Sequence, residues 1–549
     1  MEREGWAREV DVVVVGSGAA GCAAALAAQE YGFEALVLEK GAFAGGGTSY
    51  SSGGIWIADN FLAREAGIAD SREEALAYLR FLGAGYEVEE NVRAYIDNGD
   101  EALRFFADRG LRFQLVRNVP DIYYGMAPGA KREGRMVEIQ LFPAYELGPW
   151  REKVLVSPFT LTRATFDEAV RWGGRGSYAG WDPAIQEERR KNDIRALGAG
   201  LAAALVKALL DRDVPLLLEA PAKALIHLDG RVAGVVATID GRDQRIRARA
   251  GVVLASGGYE GNRELIRNYE DLEFRNMFPE TITGDGLIMG AEIGATVRVI
   301  PRQLTIFMGY DIPARDGRPA MFRNAGTSEI PQPHSCVVNR AGRRFGDESF
   351  FQKLQHGLRS FDVRTHTRPN LPCFWIFDAQ YAAKYSISGL PIGEVPDYFE
   401  RGATLEELAG RLGIDPDGLR AEIERFNGFV ADGVDADFGR GGEPWSRNYS
   451  GDFTSKNPNL GTIEKPPFYG IELHPFGMSC AGLLTNAAGQ VMHQRGFPIP
   501  GLYALGNCSA GIEFGVGYQA GLTLGKGMIF ALLAVRHMAA VYSPRRGRR

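Results

Sequence analysis

Residues 11–40, DVVVVGSGAAGCAAALAAQEYGFEALVLEK, restrict the fold more than any other stretch of the chain. Four consecutive valines predict a strand buried on both faces, because a strand with one wet face alternates apolar and polar side chains. Gly16, Gly18 and Gly21 follow in G-x-G-x-x-G order; an Ala-rich segment then predicts a helix to about Tyr31, and EALVLEK a second buried strand ending at Glu39. The first glycine makes the tight turn, the second admits a pyrophosphate, and the third lets helix and strand pack closely. The helix N-terminus offers N–H donors to the phosphates, and an acidic residue at the end of the second strand bonds ribose hydroxyls. A dinucleotide is the ligand this pattern implies. Gly16, Ser17, Gly18, Ala19 and Ala20 would surround its pyrophosphate, with Glu39 and Lys40 at the ribose.

At 549 residues the chain is too long for one core, so at least two domains are expected. A net charge of −6 gives no electrostatic footprint for nucleic acid. The N-terminus lacks an apolar signal core. The apolar late segment GMIFALLAVRHMAAV is interrupted by Arg536 and His537 and is too short to span a bilayer, so no transmembrane segment and a cytoplasmic location are expected. Five dispersed cysteines (22, 336, 373, 480 and 508) without a CxxC pattern predict buried, reduced thiols and no metal site.

Further glycine loops distinguish the dinucleotide. GAFAGGGTSYSSGG, directly after the acidic strand, carries Gly47, Thr48, Ser49, Ser52, Gly53 and Gly54. A nicotinamide-only domain needs no such loop there, whereas a flavin's ribityl chain and ring require partners beyond the pyrophosphate. Another buried strand ends in Ala255, Ser256 and Gly257 after an alternating stretch that predicts a β-meander, and a late strand ends at Gly506-Asn507.

Together with TGDGLIMGAEIGA, CVVNRAGRRFGDES, NLGTIEKPPFYGIEL and GLYALGNCSAG, these pieces resemble the fumarate reductase and 3-ketosteroid dehydrogenase superfamily of flavoproteins, from residue 11 to about 530. The ketosteroid enzymes are the nearer resemblance. It implies an α/β fold: a Rossmann-like FAD-binding domain in two segments, about 1–295 and 466–549, around an inserted α+β cap domain at 296–465. It also implies FAD, held non-covalently because residues 41–54 lack the histidine used for covalent attachment, with Leu522, Thr523 and Leu524 at the flavin. The implied activity is dehydrogenation of a carbon–carbon bond beside a carbonyl, of a 3-ketosteroid-like apolar substrate, with electrons passed to an external acceptor. The cap region agrees independently: TLEELAGRLGIDPDGLRAEIERFNGFVADG has the apolar spacing of helices broken at Gly413 and Pro416.

Such a reaction needs a base for the α-proton, a hydride acceptor, and donors that hold the carbonyl oxygen as it gains enolate character. The resemblance implies that Tyr518 and the Gly521 N–H, in GVGYQAGLTLG, hold that oxygen. Gln519 stands where the 1-ene enzymes have proline and Ala520 where the 4-ene enzymes have serine, so neither subtype pattern is complete; Tyr518 as turn filler stays open. Tyr123 and Tyr124 resemble an active-site aromatic stretch, with Tyr124 favoured; a packed aromatic pair is the alternative. After GRRFGDES, where many relatives place a base tyrosine, this chain has Phe350, Phe351 and Gln352, none of them a base. His334 is a further titratable candidate, more commonly a structural residue. Fumarate reductases bind dicarboxylates with arginine and histidine where Tyr518-Gln519 and Met478 stand here, so a neutral carbonyl substrate is expected. The alternatives are an enoate reductase running the chemistry in reverse and a flavin binder without turnover.

Overall fold

The computed structural model describes residues 5–158, 163–173, 181–300, 306–314, 320–511 and 515–542. β1 (Arg8–Val15), α1 (Ala19–Glu30) and β2 (Ala35–Leu38) form where the pattern predicts them. The valines divide by parity: Val12 and Val14 enter one core, Val13 and Val15 the other, so β1 is buried on both faces. Every residue of α1 from Ala19 to Ala28 is buried. Its small side chains allow close approach to the C-terminal helix Leu522–Val541, where a Cβ on Gly527 would stand 3.0 Å from the Ala20 Cβ.

The first sheet has eight strands among the described residues; its main path runs Gln490–Met492, Pro498–Ala504, Arg242–Leu254, β1, β2, Leu216–Leu217. Of the five pairings along that path, only Gln490–Met492 with Pro498–Ala504 is antiparallel; the other four are parallel. Arg242–Leu254 reaches beyond β1 and continues as the expected antiparallel meander with Arg231–Ile239 and Ala222–Leu228. Both hairpins turn on Asp-Gly pairs in the left-handed region, Asp229-Gly230 (φ 50°, 77°) and Asp240-Gly241 (φ 51°, 74°). Two successive left-handed residues match the right-handed twist of the flanking strands.

The second sheet is antiparallel and runs Met321–Asn324, Ile306–Ile312, Phe468–Gly477, Cys373–Asp378, Ser335–Asn339, with Glu400–Gly402 also paired to Phe468–Gly477. Side chains of alternate parity fill the cores on its two faces, Val337 in one and Cys336 and Val338 in the other. Helices Leu405–Leu412 and Pro416–Asp432 cover the second face and break as expected. Gly413 adopts φ 69°, the Asp415 side chain caps the Asp417 N–H, and Pro416 opens the next helix. Phe468–Gly477 belongs to this sheet, so the chain returns to the first one after Gly477, later than the Pro466 expected from glycine content. The glycine signal marks nucleotide loops and carries no information about which sheet an apolar strand joins.

The C-terminal helix is longer than the apolar run that announces it. Leu522–Val541 is long and apolar enough to cross a membrane, but it packs in the core beside α1, with Met528 to Leu532 all buried. All five cysteines are buried and free.

Candidate active site

Three loop clusters at the ends of the parallel strands enclose one cavity of about 990 Å³. The β1–α1 turn forms one wall. Gly16 (φ 104°) lies so close to the strand beside it that a Cβ would stand 2.4 Å from the Ala255 carbonyl oxygen, whereas one on Gly18 would meet nothing nearer than Thr48 Oγ1 at 3.5 Å. The turn is thus packed on one side and open on the other, where Gly16, Ser17, Gly18, Ala19 and Ala20 line the cavity. Glu39 accepts hydrogen bonds from the Ser17 N–H (3.1 Å), the Ser17 hydroxyl (2.5 Å) and the Gly41 N–H (2.7 Å) while also lining the cavity. Its carboxylate therefore fixes the phosphate turn as well as offering lone pairs to a ribose. Lys40 pairs with Asp285 at 2.7 Å.

Gly47, Thr48, Ser52, Gly54, Ala255, Ser256, Gly257, Gly506, Asn507, Thr523 and Leu524 line the same cavity. Three expected contacts do not. Ser49 is buried, Gly53 lies against the Leu197 backbone where a Cβ would come within 2.3 Å, and Leu522 is fully buried beneath the helix start. Each alternates with a lining neighbour on a tight turn, and that direction is invisible to a composition-based reading. The C-terminal helix begins at the cavity wall: the Leu522 N–H is spent on the Gln519 carbonyl at 3.3 Å, while Thr523 and Leu524, whose N–H groups have no partner inside the helix, line the cavity. A packed-and-open glycine turn, a carboxylate at the second strand and two helix N-termini on one elongated space are the donor set that FAD requires.

Beyond this cradle the wall becomes apolar. Phe307 and Phe476 are directly paired across neighbouring strands and stack at 5.4 Å; Phe307 also stacks on Phe351 at 4.7 Å. Tyr518 meets the edges of Phe307 (5.5 Å) and Phe351 (6.2 Å). Val119, Ile122, Met136 and Trp445 complete the slot. Gly521 lines it one turn from Tyr518; at φ 90° a Cβ there would stand 2.6 Å from the Trp56 nitrogen, and the Trp56 N–H donates to the Gly521 carbonyl. Gly521 and Gly525 thus serve close packing on the Ile55–Trp56 strand, whereas Gly515 and Gly517 pack on Gly83 and Leu82. Residues 512–514 of the same stretch lie outside the described residues.

Neither Tyr123 nor Tyr124 is among the lining residues. Tyr124 is half-buried, its N–H spent on the Asp121 carbonyl. Tyr123 is the inward one: its ring meets Phe350 at 6.0 Å, and its hydroxyl is buried beside the Tyr518 backbone and Gln352 without a well-formed hydrogen bond. Burial pushes its phenol well above the ordinary value, so it stays protonated and supports the Tyr518 loop from behind. His334 also does not line the cavity, and its Nδ1 lies 2.8 Å from the Thr462 carbonyl oxygen. Of the stretch without a base, Phe351 lines the slot and the Gln352 amide donates to the Tyr518 carbonyl at 3.4 Å.

Two functional features escape a sequence reading. Gln519 is buried, and its Oε1 accepts from the Tyr78 hydroxyl (2.5 Å) and the Ile122 N–H (2.9 Å), tying the Tyr518 loop to two distant segments. Glu260, also buried, lines the cavity and accepts from the Ser479 N–H at 2.9 Å; desolvation holds its carboxyl above the usual range. Both depend on partners distant in sequence, 219 residues away for Glu260 and 397 and 441 for Gln519.

Residues 11–523 match the FAD binding domain family. The chain is 36% identical to 4-oxocyclohexanecarboxylate 2-dehydrogenase of Sinomonas cyclohexanicum, over 96% of this chain and 92% of that one. It is 34% identical to 3-oxosteroid 1-dehydrogenase of Mycolicibacterium smegmatis, over 97% and 98%. The crystal structure of 3-ketosteroid delta1-dehydrogenase from Sterolibacterium denitrificans in complex with 1,4-androstadiene-3,17-dione superposes with a TM-score of 0.89 at 30% identity, covering 97% of this chain and all of that one. The chain belongs to the FAD binding domain family, among the flavoproteins related to 3-ketosteroid dehydrogenases and fumarate reductases. It is an FAD-dependent oxidoreductase acting on CH–CH groups beside a carbonyl.

Proposed function

We propose that the protein dehydrogenates a cyclic ketone of the 3-oxosteroid kind. The observation that carries this reading is the aromatic slot continuous with the FAD cradle, with Tyr518 and Gly521 on its wall at the start of a helix. FAD, when bound, supplies the hydride acceptor. The Tyr518 hydroxyl and the Gly521 N–H donate to the ketone oxygen, and both bonds strengthen as that oxygen takes enolate charge. Phe307, Phe351 and Phe476 exclude water and hold a flat alicyclic skeleton, which has no charge to lose on entering. Gln519 and Gln352 hold the Tyr518 loop through neutral amides, so the phenol's aim does not vary with their ionisation.

A second reading, a cyclic keto acid as substrate, is favoured by the 36% identity to the 4-oxocyclohexanecarboxylate enzyme. Anaerobic mixing of the yellow protein with a 3-oxosteroid tests the first: flavin bleaching with formation of the conjugated enone supports it. An unbleached flavin across a panel of 3-oxosteroids overturns it. Recovery of the colour with a quinone or dye would identify the class of external acceptor.

A further inference from the structure

The slot that begins at Tyr518 does not end in apolar side chains. On the strand pairing next to Phe307, Gly309 stands opposite Asn324 and Tyr310 opposite Arg323. The Ala325 and Gly326 N–H groups both donate to the Met308 carbonyl, at 3.1 and 3.0 Å, which brings Thr327 and Ser328 beside the residue that follows Phe307. Arg323, Asn324, Thr327, Ser328 and Ser388 all line the cavity. Ring contacts run from Tyr518 to Phe307, on to Phe476 and then to Phe322, the neighbour of Arg323, so these polar residues line the cavity past the aromatic slot and form a polar bay.

The cation of this bay is already committed. Arg323 Nε and Nη2 both lie 2.7 Å from Glu329 Oε1, and Glu329 is buried at 3% exposure. The same carboxylate accepts from the Tyr310 hydroxyl (2.8 Å) and the Ser388 N–H (3.1 Å), so its position is set from three sides. A lone guanidinium in an apolar pocket would draw a substrate carboxylate into a bidentate pair. A guanidinium neutralised by Glu329 gives an incoming anion no net attraction, while burying that anion still costs its desolvation. A ketone or hydroxyl oxygen needs only donors, which Thr327, Ser328 and the Asn324 amide supply.

We propose that this bay selects substrates whose remote end is a neutral hydrogen-bonding group, and that Glu329 sets the selection by cancelling the charge of Arg323. The inference rests on the ketone dehydrogenase reading above and decides between its two substrate classes, favouring the neutral polycyclic ketone over the keto acid. Glu329 is thus a specificity-determining residue that acts through Arg323.

The test uses the FAD-loaded enzyme with two substrates, androst-4-ene-3,17-dione and 4-oxocyclohexanecarboxylate, read as kcat/KM for each. Wild type should favour the dione. Glu329→Gln should raise the acid-to-dione ratio at least tenfold, mainly through a lower KM for the acid, and the gain should fade at high salt. Because that variant removes a buried ion-pair partner and could fail to fold, Thr327→Lys is the second arm. Thr327 is half-buried, and a cation there leaves Glu329 and its bonds in place; the ratio should move the same way. Ratios within twofold of wild type in the folded variants, or a wild-type preference for the acid, would overturn the proposal while leaving the dehydrogenase intact. Failure of both ketones to bleach wild-type flavin would overturn the dehydrogenase reading and this inference with it.

Discussion

On the proposed reading the chemistry at Tyr518 rests on one hydroxyl held among phenylalanines, and Phe is the substitution that isolates it. Tyr518→Phe keeps the edge contacts to Phe307 and Phe351 and leaves the FAD cradle untouched. Losing a donor to a developing oxyanion costs on the order of 2.7–4 kcal/mol, or about 10²–10³ in rate. Stopped-flow reduction by a reacting ketone should slow by that factor with normal flavin content, and a change below threefold would reduce Tyr518 to packing. Glu260 is the second informative residue, because burial disfavours its ionised form. The unfolded carboxyl ionises near pH ~4.3, while the folded one stays protonated to higher pH. The unfolded state therefore binds fewer protons above that pH, and the buried group lowers stability progressively as pH rises toward its folded value. Glu260→Gln mimics the protonated form and keeps an acceptor for the Ser479 N–H. Its melting temperature should match wild type near pH 4 and exceed it increasingly toward pH 8; a pH-independent difference would mean that Glu260 is not protonated in the fold.

Among the elements, those whose side chains obey one local period were legible. β1 reads as buried on both faces because its valines fill two cores, and the meander reads from alternation and two Asp-Gly turns. The helices around Gly413 announce their own ends. The glycine turn, Glu39 and the Tyr518 loop, which line one cavity, could be singled out as candidates because each is a short motif. The slot could not. Phe307 and Phe476 meet only through strand pairing across the second sheet, and no local pattern marks Phe468–Gly477 as part of it. Direction on tight turns was equally hidden, which is why Ser49, Gly53 and Leu522 read as contacts and Tyr124 read ahead of Tyr123. The Tyr518 loop shows what long-range partners add. Its anchor, Gln519, bonds the Tyr78 hydroxyl and the Ile122 N–H, and Tyr78 in turn stacks on Trp56 at 5.9 Å. Gln519→Leu strands both donors, each costing about 1–3 kcal/mol when buried unpaired. Urea denaturation should show that loss and kcat should fall more than KM rises, while Gln519→Glu, which keeps the acceptor, should restore much of kcat. Wild-type kcat in the Leu variant would show that the loop is aimed without Gln519.

The whole molecule is closed by its own ligand site. The candidate FAD cradle draws on residues near 16–54, on Ala255–Gly257 and on Gly506–Leu524, so segments near the two ends of the chain and a central strand meet around one space. Strand Pro498–Ala504 pairs with Arg242–Leu254, the C-terminal helix packs on α1, and the loops facing the cavity are joined by bonds such as Ser17 to Glu39 and Trp56 to Gly521; a bound FAD would add a bridge across all of them. A ligand that binds only the folded state stabilises it by RT ln(1 + [L]/Kd), about 2.7 kcal/mol at 100 Kd and about 4.1 at 1,000 Kd. With no histidine in residues 41–54, the bond to FAD should be non-covalent, and acid precipitation should leave the yellow colour in the supernatant. Protein stripped gently with concentrated bromide should then melt several degrees lower and regain its melting temperature as FAD is added, rising with the logarithm of free FAD. Amide exchange should slow on reconstitution at all three segments, including the start of the C-terminal helix. The pattern across segments separates a clamp from simple local binding: protection confined to the β1–α1 turn would mean that the late segments are held by packing alone. Colour retained in the acid pellet, or a melting temperature indifferent to FAD, would contradict the clamp outright.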